Sequence, residues 1–157
     1  MLARRRPRRR TGFLKTSQRS TLTTVHSVGA ASATFLGFGF SAGGTVAASV
    51  AFQYTAESRP AFVGPIYAYM GAVKATDLPA HAPPLFVAAA TDDQLGLAPD
   101  SINLYSKGGA AKKPAEIHIY GKGGHGFGMR KQNLPSDQWI ERFGEWLTLQ
   151  GLMKPLR

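Results

Sequence analysis

The stretch Gly39-Phe40-Ser41-Ala42-Gly43-Gly44 follows an apolar, small-residue run from Ala30 to Phe38 and precedes a helix-capable run from Thr45 to Phe52. A G-x-S-x-G pattern between a strand and a helix reads as a sharp turn that lifts the serine hydroxyl above the sheet edge. Steric crowding at so tight a turn favours residues with little or no Cβ two positions before and two after the serine, and it strains the serine backbone. The helix that follows starts with amides that have no acceptor inside the helix, and these can stabilise a developing oxyanion. Ser41 is therefore the candidate nucleophile, and the Ala42 amide the first oxyanion donor.

Downstream, the apolar pattern predicts alternating strands and helices. A helix is expected from Thr45 to about Tyr54, and a short buried strand over Ala61–Tyr67, broken by Gly64 and Pro65. Residues 68–84 read as loop, punctuated by Pro79, Pro83 and Pro84. Leu85-Phe86-Val87-Ala88-Ala89-Ala90 is a continuous apolar run, as expected of a parallel strand buried on both faces. Thr91-Asp92-Asp93-Gln94-Leu95 lies at its carboxyl end, where open α/β sheets keep functional groups. A helix starting near Asp100 and ended by Gly108-Gly109 leads to a strand over Ala115–Tyr120. Next comes Gly121-Lys122-Gly123-Gly124-His125-Gly126-Phe127-Gly128, which lacks the residue order of a P-loop. A glycine-flanked histidine just past a strand end suits a general base, so His125 is the candidate for that role. Trp139, Ile140, Phe143, Trp146 and Leu147 recur at helical spacing, with Ser136 or Asp137 near the N-cap and Gly151 after the end. Their stripe reads as core. His118, His26 and His81 read as structural.

The chain has 157 residues, 43% of them apolar, which suits one domain with a real core. It has no cysteine, which excludes disulfides and thiolate metal sites. No apolar run approaches the roughly 20 residues of a membrane span. The net charge of +10 is concentrated at the start: residues 1–20 hold eight basic side chains and no acid. Residues 21–157 hold 11 basic and 9 acidic ones, a balance of +2. Clustered arginines attract phosphate, but the body shows no interleaving of aromatic and basic residues, which argues against nucleic acid as a partner. Residues 1–37 are expected to form a basic leader. Arg9-Arg10-Thr11-Gly12-Phe13-Leu14-Lys15 resembles a twin-arginine export signal, and Val28-Gly29-Ala30-Ala31-Ser32-Ala33 carries the small-x-small spacing of a cleavage site. A disordered basic tail is the alternative. Export to the periplasm or beyond follows from the first reading, and a cytoplasmic location from the second.

The chain order Ser41, then an acid after one strand, then His125 after the next, is the order used by α/β-hydrolases. Residues 39–152 resemble the C-terminal half of bacterial α/β-hydrolase esterases of the acetyl esterase and acetylxylan esterase type. The resemblance rests on Gly39–Gly44, on Pro84-Leu85-Phe86 leading to Asp92-Asp93, on Lys122–Gly128 and on the Trp139…Trp146 helix. It implies a partial α/β-hydrolase fold over residues 38–157, a mostly parallel sheet with flanking helices. It also implies hydrolysis of small carboxylic esters through a Ser-Asp-His triad and an acyl-enzyme, with no metal or organic cofactor. Asp93 is the implied triad acid, because the family places it just before a pair such as Gln94-Leu95; Asp92 is the alternative. Tyr67, Tyr69, Met70 and Phe127 are implied substrate-pocket residues; for Tyr67, Tyr69 and Met70 ordinary core packing is the alternative.

The family pattern also calls for strands before the elbow and for an His-Gly-Gly loop that supplies a second oxyanion amide. Neither is visible here, since His26 is the only histidine before Ser41. The expectation is a leader joined almost directly to the elbow, with the front half lost. That would leave an unpaired sheet edge open to homo-oligomerisation and an enzyme weakened, or a fragment retained for binding or assembly.

Overall fold

The computed structural model describes residues 36–73 and 77–154. The leader over residues 1–37 lies outside the described residues, apart from Leu36 and Gly37. Those two already belong to the first strand. Four strands, β1 (Leu36–Phe40), β2 (Phe62–Ile66), β3 (Leu85–Ala90) and β4 (Ala115–Tyr120), form one parallel sheet in chain order. Three helices accompany them: α1 (Ala42–Phe52), α2 (Ala98–Ala110) and α3 (Trp139–Leu149). Among the described residues, no helix is long and apolar enough to cross a membrane.

The sheet is covered on both faces, which explains the unbroken apolar run of β3. Phe86, Ala88 and Ala90 point to one side, where they join Phe62, Ile66, Phe127 and the α3 residues Trp139, Phe143 and Trp146. Leu85 and Val87 point to the other, where they meet Val63, Ala48 and Ala51 of α1 and Leu104 of α2. Each large apolar side chain removed from water in this way contributes about 1.5–3 kcal/mol. α1 can lie close because its buried face is alanine and glycine.

Several local expectations need correction. β2 is not broken by Gly64-Pro65 but runs through them, its register with β3 carried by Val63↔Leu85 and Ile66↔Ala88. Gly64 leaves room for the Phe38 ring, which a Cβ there would meet at 2.8 Å. α1 starts at Ala42, three residues before Thr45, because the turn at Ser41 passes straight into helix. α2 does not stop at Gly108-Gly109 but continues to Ala110. Gly108 faces the sheet, and a Cβ there would stand 2.9 Å from Ala115 Cβ and 3.0 Å from Leu85 Cδ1. It is thus a point of helix–sheet approach, and the helix ends two residues later. α3 is entered through a 3-10 turn, Pro135–Gln138, and its N-cap is Gln138. Asp137 instead accepts the amides of Gln132 and Asn133, bracing the loop before the turn. α3 closes as expected near Gly151, with Gly151 N–H bonded to Thr148 O and Leu152 N–H to Leu147 O, a Schellman arrangement.

β1 is at the sheet edge, and among the described residues its strand partner is β2 alone. Leu36 and Phe38 are 50% and 36% exposed there.

Candidate active site

All four strands end on the same side of the sheet, and each carboxyl end delivers part of one cluster. Ser41 follows β1, Tyr67 follows β2, Asp93 lies just past β3 and His125 just past β4. The backbone ladder extends into this rim. Ser41 N–H bonds to Ile66 O, Tyr67 N–H to Ala88 O and Thr91 N–H to Tyr120 O, at 3.0, 2.7 and 2.7 Å.

Ser41 has φ 50° and ψ −120°. This left-handed, sparsely populated geometry costs about 1–3 kcal/mol and persists only where the surroundings impose it. Here the elbow is closed by contact. A Cβ at Gly39 would lie 2.4 Å from Gly43 O, and one at Gly44 would meet Gly39 O, Ala68 Cβ and Ile66 O at 3.0–3.1 Å. Gly43, two positions after the serine, has open space around its Cβ direction. The crowding after Ser41 therefore falls on the third position, not the second.

Ser41 Oγ is 2.8 Å from His125 Nε2, and His125 Nδ1 is 2.9 Å from Asp93 Oδ2. The Asp93 side chain is fully buried, and its second oxygen, Oδ1, accepts the Leu95 amide at 2.8 Å. With Nδ1–H donating to Asp93, Nε2 is left to accept the serine proton. Asp92 does not reach the imidazole; its Oδ1 accepts the Gly124 amide at 2.7 Å. Gln94 Oε1 accepts the His125 amide at 3.1 Å. Ala42 opens α1, so its amide has no acceptor within the helix.

The four pocket candidates separate. Tyr69 is exposed and lines a cleft of about 500 Å³ at Ser41, together with Ala42, Thr45, Ala72, Leu95 and Leu97. Thr45 Oγ1 donates to Tyr69 O at 2.8 Å and fixes this wall. Tyr67 and Phe127 are buried, 4% and 1% exposed, and stand behind the imidazole rather than in the cleft wall. The Tyr67 ring meets His125 edge-on at 5.0 Å and Phe127 at 4.8 Å. Phe40 at the end of β1 packs against Tyr67, and Tyr120 at the end of β4 against Phe127. Burial raises the Tyr67 phenol above its ordinary value and the Asp93 charge adds to this, against a hydrogen bond with the Gly128 backbone. Met70 turns to the α1–α2 side, half-buried against that core, while its amide is held by Asp100 Oδ2 at 2.7 Å.

The other histidines lie elsewhere. His118 Nε2 pairs with Glu116 Oε1 at 2.8 Å on β4, His81 is exposed, and His26 is outside the described residues. Among the described residues, no group of three or more His, Asp or Glu is arranged to hold a metal ion. Ala72 and Leu97 of the cleft carry no signal in the sequence, and Leu95 figures there only in the Gln94-Leu95 pair after the acid. Nor does the sequence reveal the roles of Asp92 and Gln94; their position at the carboxyl end of the β3 run was the signal available. A larger apolar depression, about 800 Å³, lies along α3 and includes none of the Ser41 residues.

Residues 4–146 match the family model described as the dienelactone hydrolase family. The chain belongs to the dienelactone hydrolase family. No curated protein matches it. Among solved structures it is similar to an acetyl ester-xyloside bifunctional hydrolase from Caldicellulosiruptor lactoaceticus. The TM-score is 0.63 and the identity 21%, over 74% of this chain and 56% of that one. It is also similar to an α/β-hydrolase from a Medee basin deep-sea metagenome library, with TM-score 0.60 and 21% identity over 72% and 52%. A carboxylesterase from Lactobacillus plantarum gives 0.57 and 20% over 74% and 58%. At these identities the likeness shows the fold. This dienelactone hydrolase family member spans between half and three-fifths of those chains, so its parallel sheet and flanking helices are part of an α/β-hydrolase fold.

Proposed function

We propose that this chain carries the catalytic constellation of a serine hydrolase for small carboxylic esters, acetyl esters on sugars among them. The observation that carries the reading is the run Ser41 Oγ–His125 Nε2–His125 Nδ1–Asp93 Oδ2, with bonds of 2.8 and 2.9 Å. Family membership and the esterases among the structural neighbours support it. His125 takes the Ser41 proton as Oγ attacks the ester carbonyl, and Asp93 stabilises the imidazolium that forms. The Ala42 amide donates to the oxyanion. His125 then protonates the departing alcohol, leaving an acyl group on Ser41, and activates the water that releases the acid. The cleft walls at Ala42, Ala72, Leu95 and Leu97 suit a short, neutral acyl group.

The His-Gly-Gly loop expected to supply a second oxyanion amide does not occur among the described residues, and one donor less typically lowers turnover about 10²–10³-fold. Slow hydrolysis of p-nitrophenyl acetate is expected, abolished by Ser41→Ala and by His125→Ala. Equal rates in all three proteins would refute the reading.

A second reading, self-association as an assembly module, is favoured by the β1 edge and its exposed Leu36 and Phe38. The two readings are compatible, because the β1 edge and the Ser41 cleft involve different residues.

A further inference from the structure

The turn after β3 does more than present Asp93. Three consecutive side chains on it each accept a hydrogen from the loop that carries His125. Asp92 Oδ1 takes the Gly124 amide at 2.7 Å, Asp93 Oδ2 takes His125 Nδ1–H at 2.9 Å, and Gln94 Oε1 takes the His125 amide at 3.1 Å. Gly124 and Gly126, at φ +67° and +76°, stand on either side of His125. Glycines in this conformation let a short loop swing about its neighbours at little cost. The imidazole therefore has two possible hinges beside it, and its ring bond to Asp93 does not by itself fix the backbone that carries it.

We propose that Asp92 and Gln94 are positioning residues, which hold the Gly124–His125 backbone so that Nε2 stays within reach of Ser41. The proposal rests on the reading of Ser41, His125 and Asp93 as a triad. Asp92 and Gln94 are exposed, so water can replace either side chain as acceptor and the fold survives their loss. What is lost is registration. A small misplacement of a catalytic group lowers the rate without weakening substrate binding. The carboxylate of Asp92 acts here through an oxygen acceptor that an amide also has, so Asp92→Asn preserves the bond to Gly124 while removing the charge.

The test uses the full chain and two readouts. The first is p-nitrophenyl acetate hydrolysis by Asp92→Ala, Gln94→Ala, the double variant and Asp92→Asn, with thermal melts alongside. Asp92→Ala is expected to lower kcat about tenfold, with KM changed less than twofold and the melting temperature nearly unmoved. Gln94→Ala is expected to have a smaller effect, and Asp92→Asn to return kcat to within about threefold of the parent. The second readout is the low-field His125 Nδ1–H resonance in protein labelled with ¹⁵N-histidine, which reports the bond to Asp93 without any turnover. It should persist in Asp92→Asn and broaden or vanish in the double variant. An unchanged resonance in the double variant overturns the proposal, as does an Asp92→Asn protein as slow as Asp92→Ala. A parent chain that hydrolyses nothing but whose resonance responds as described would sink the esterase reading and leave the positioning role standing.

Discussion

Tyr120 ends β4 with its hydroxyl buried and, among the described residues, without a hydrogen-bond partner. A buried polar group left unpaired costs about 1–3 kcal/mol, whereas an aromatic ring of the same shape without the oxygen does not. Tyr120→Phe is therefore expected to keep or raise stability, by about 1 kcal/mol in chemical denaturation; a loss of that size would mean that the hydroxyl is bonded. Burial also raises the Tyr120 phenol above 10.0, helped by Glu141 and opposed by Arg142. Tyr67 is raised for the same leading cause. The unfolded chain thus releases these protons at lower pH than the folded one. The stabilisation is complete below about pH 10 and is lost as pH rises through the folded values. Tyr120→Phe should flatten that alkaline decline in melting temperature. Ser41 is the opposite kind of residue, where strain is kept because the hydroxyl must stand above the sheet.

The strand–turn–helix unit from β1 through α1 is held by contacts that a single methyl group would break. At Gly39 an added Cβ would fall 2.4 Å from Gly43 O, which is backbone and has no way to yield without moving the turn. Gly39→Ala is expected to destabilise by about 2–3 kcal/mol, in line with other overpacked sites. At Gly43 the same methyl enters open space at an ordinary helical position. There alanine should stabilise by about 0.4–1 kcal/mol, through the smaller entropy of its unfolded chain. Denaturant midpoints of the two variants, measured side by side, check the assignment; equal destabilisation would contradict it. α2 shows the same economy at Gly108, where a helix interior accepts glycine because Leu85 and Ala115 fill the space a side chain would need.

Across the whole domain, the apolar surface is uneven. The α3 depression of about 800 Å³ and a second of about 310 Å³ beside β1 share Phe143, Leu147 and Met153, and the second reaches Leu36 and Phe38. Among the described residues β1 is an edge strand next to an apolar face, and such an edge is a template for pairing with another chain. The +2 balance of residues 21–157 opposes it little, and the repulsion that charge supplies comes from the eight basic side chains of residues 1–20. Sedimentation should show concentration-dependent association. Leu36→Lys and, separately, Phe38→Lys should shift the protein towards monomer. The Phe38 ring also stacks on Phe143 and Trp139, so Leu36→Lys is the variant expected to leave the cluster at the carboxyl ends of the strands in place. Association unaffected by both lysines would exclude this edge.

Alternation of strands and helices was legible in the residues alone, because hydrophobic runs of strand length alternate with helical stripes and each is bounded by turn residues; the hydrolase fold came with the family resemblance. β3 and β4 were legible residue for residue. The order Ser41, then an acid of the Asp92-Asp93 pair, then His125 could be read from motif and spacing, which are local properties; the preference for Asp93 came with the family resemblance. Other features depended on distances between segments far apart in the chain. Whether Gly108 ends a helix or admits a neighbour depends on Leu85 and Ala115, which lie on two other elements. That Asp93 and not Asp92 meets the imidazole depends on which carboxylate the turn aims across 32 residues of sequence. Tyr67 and Tyr69 are two residues apart, yet one is buried behind the histidine and the other walls the cleft. Only the packed sheet decides that, because burial is set by what arrives from elsewhere in the chain.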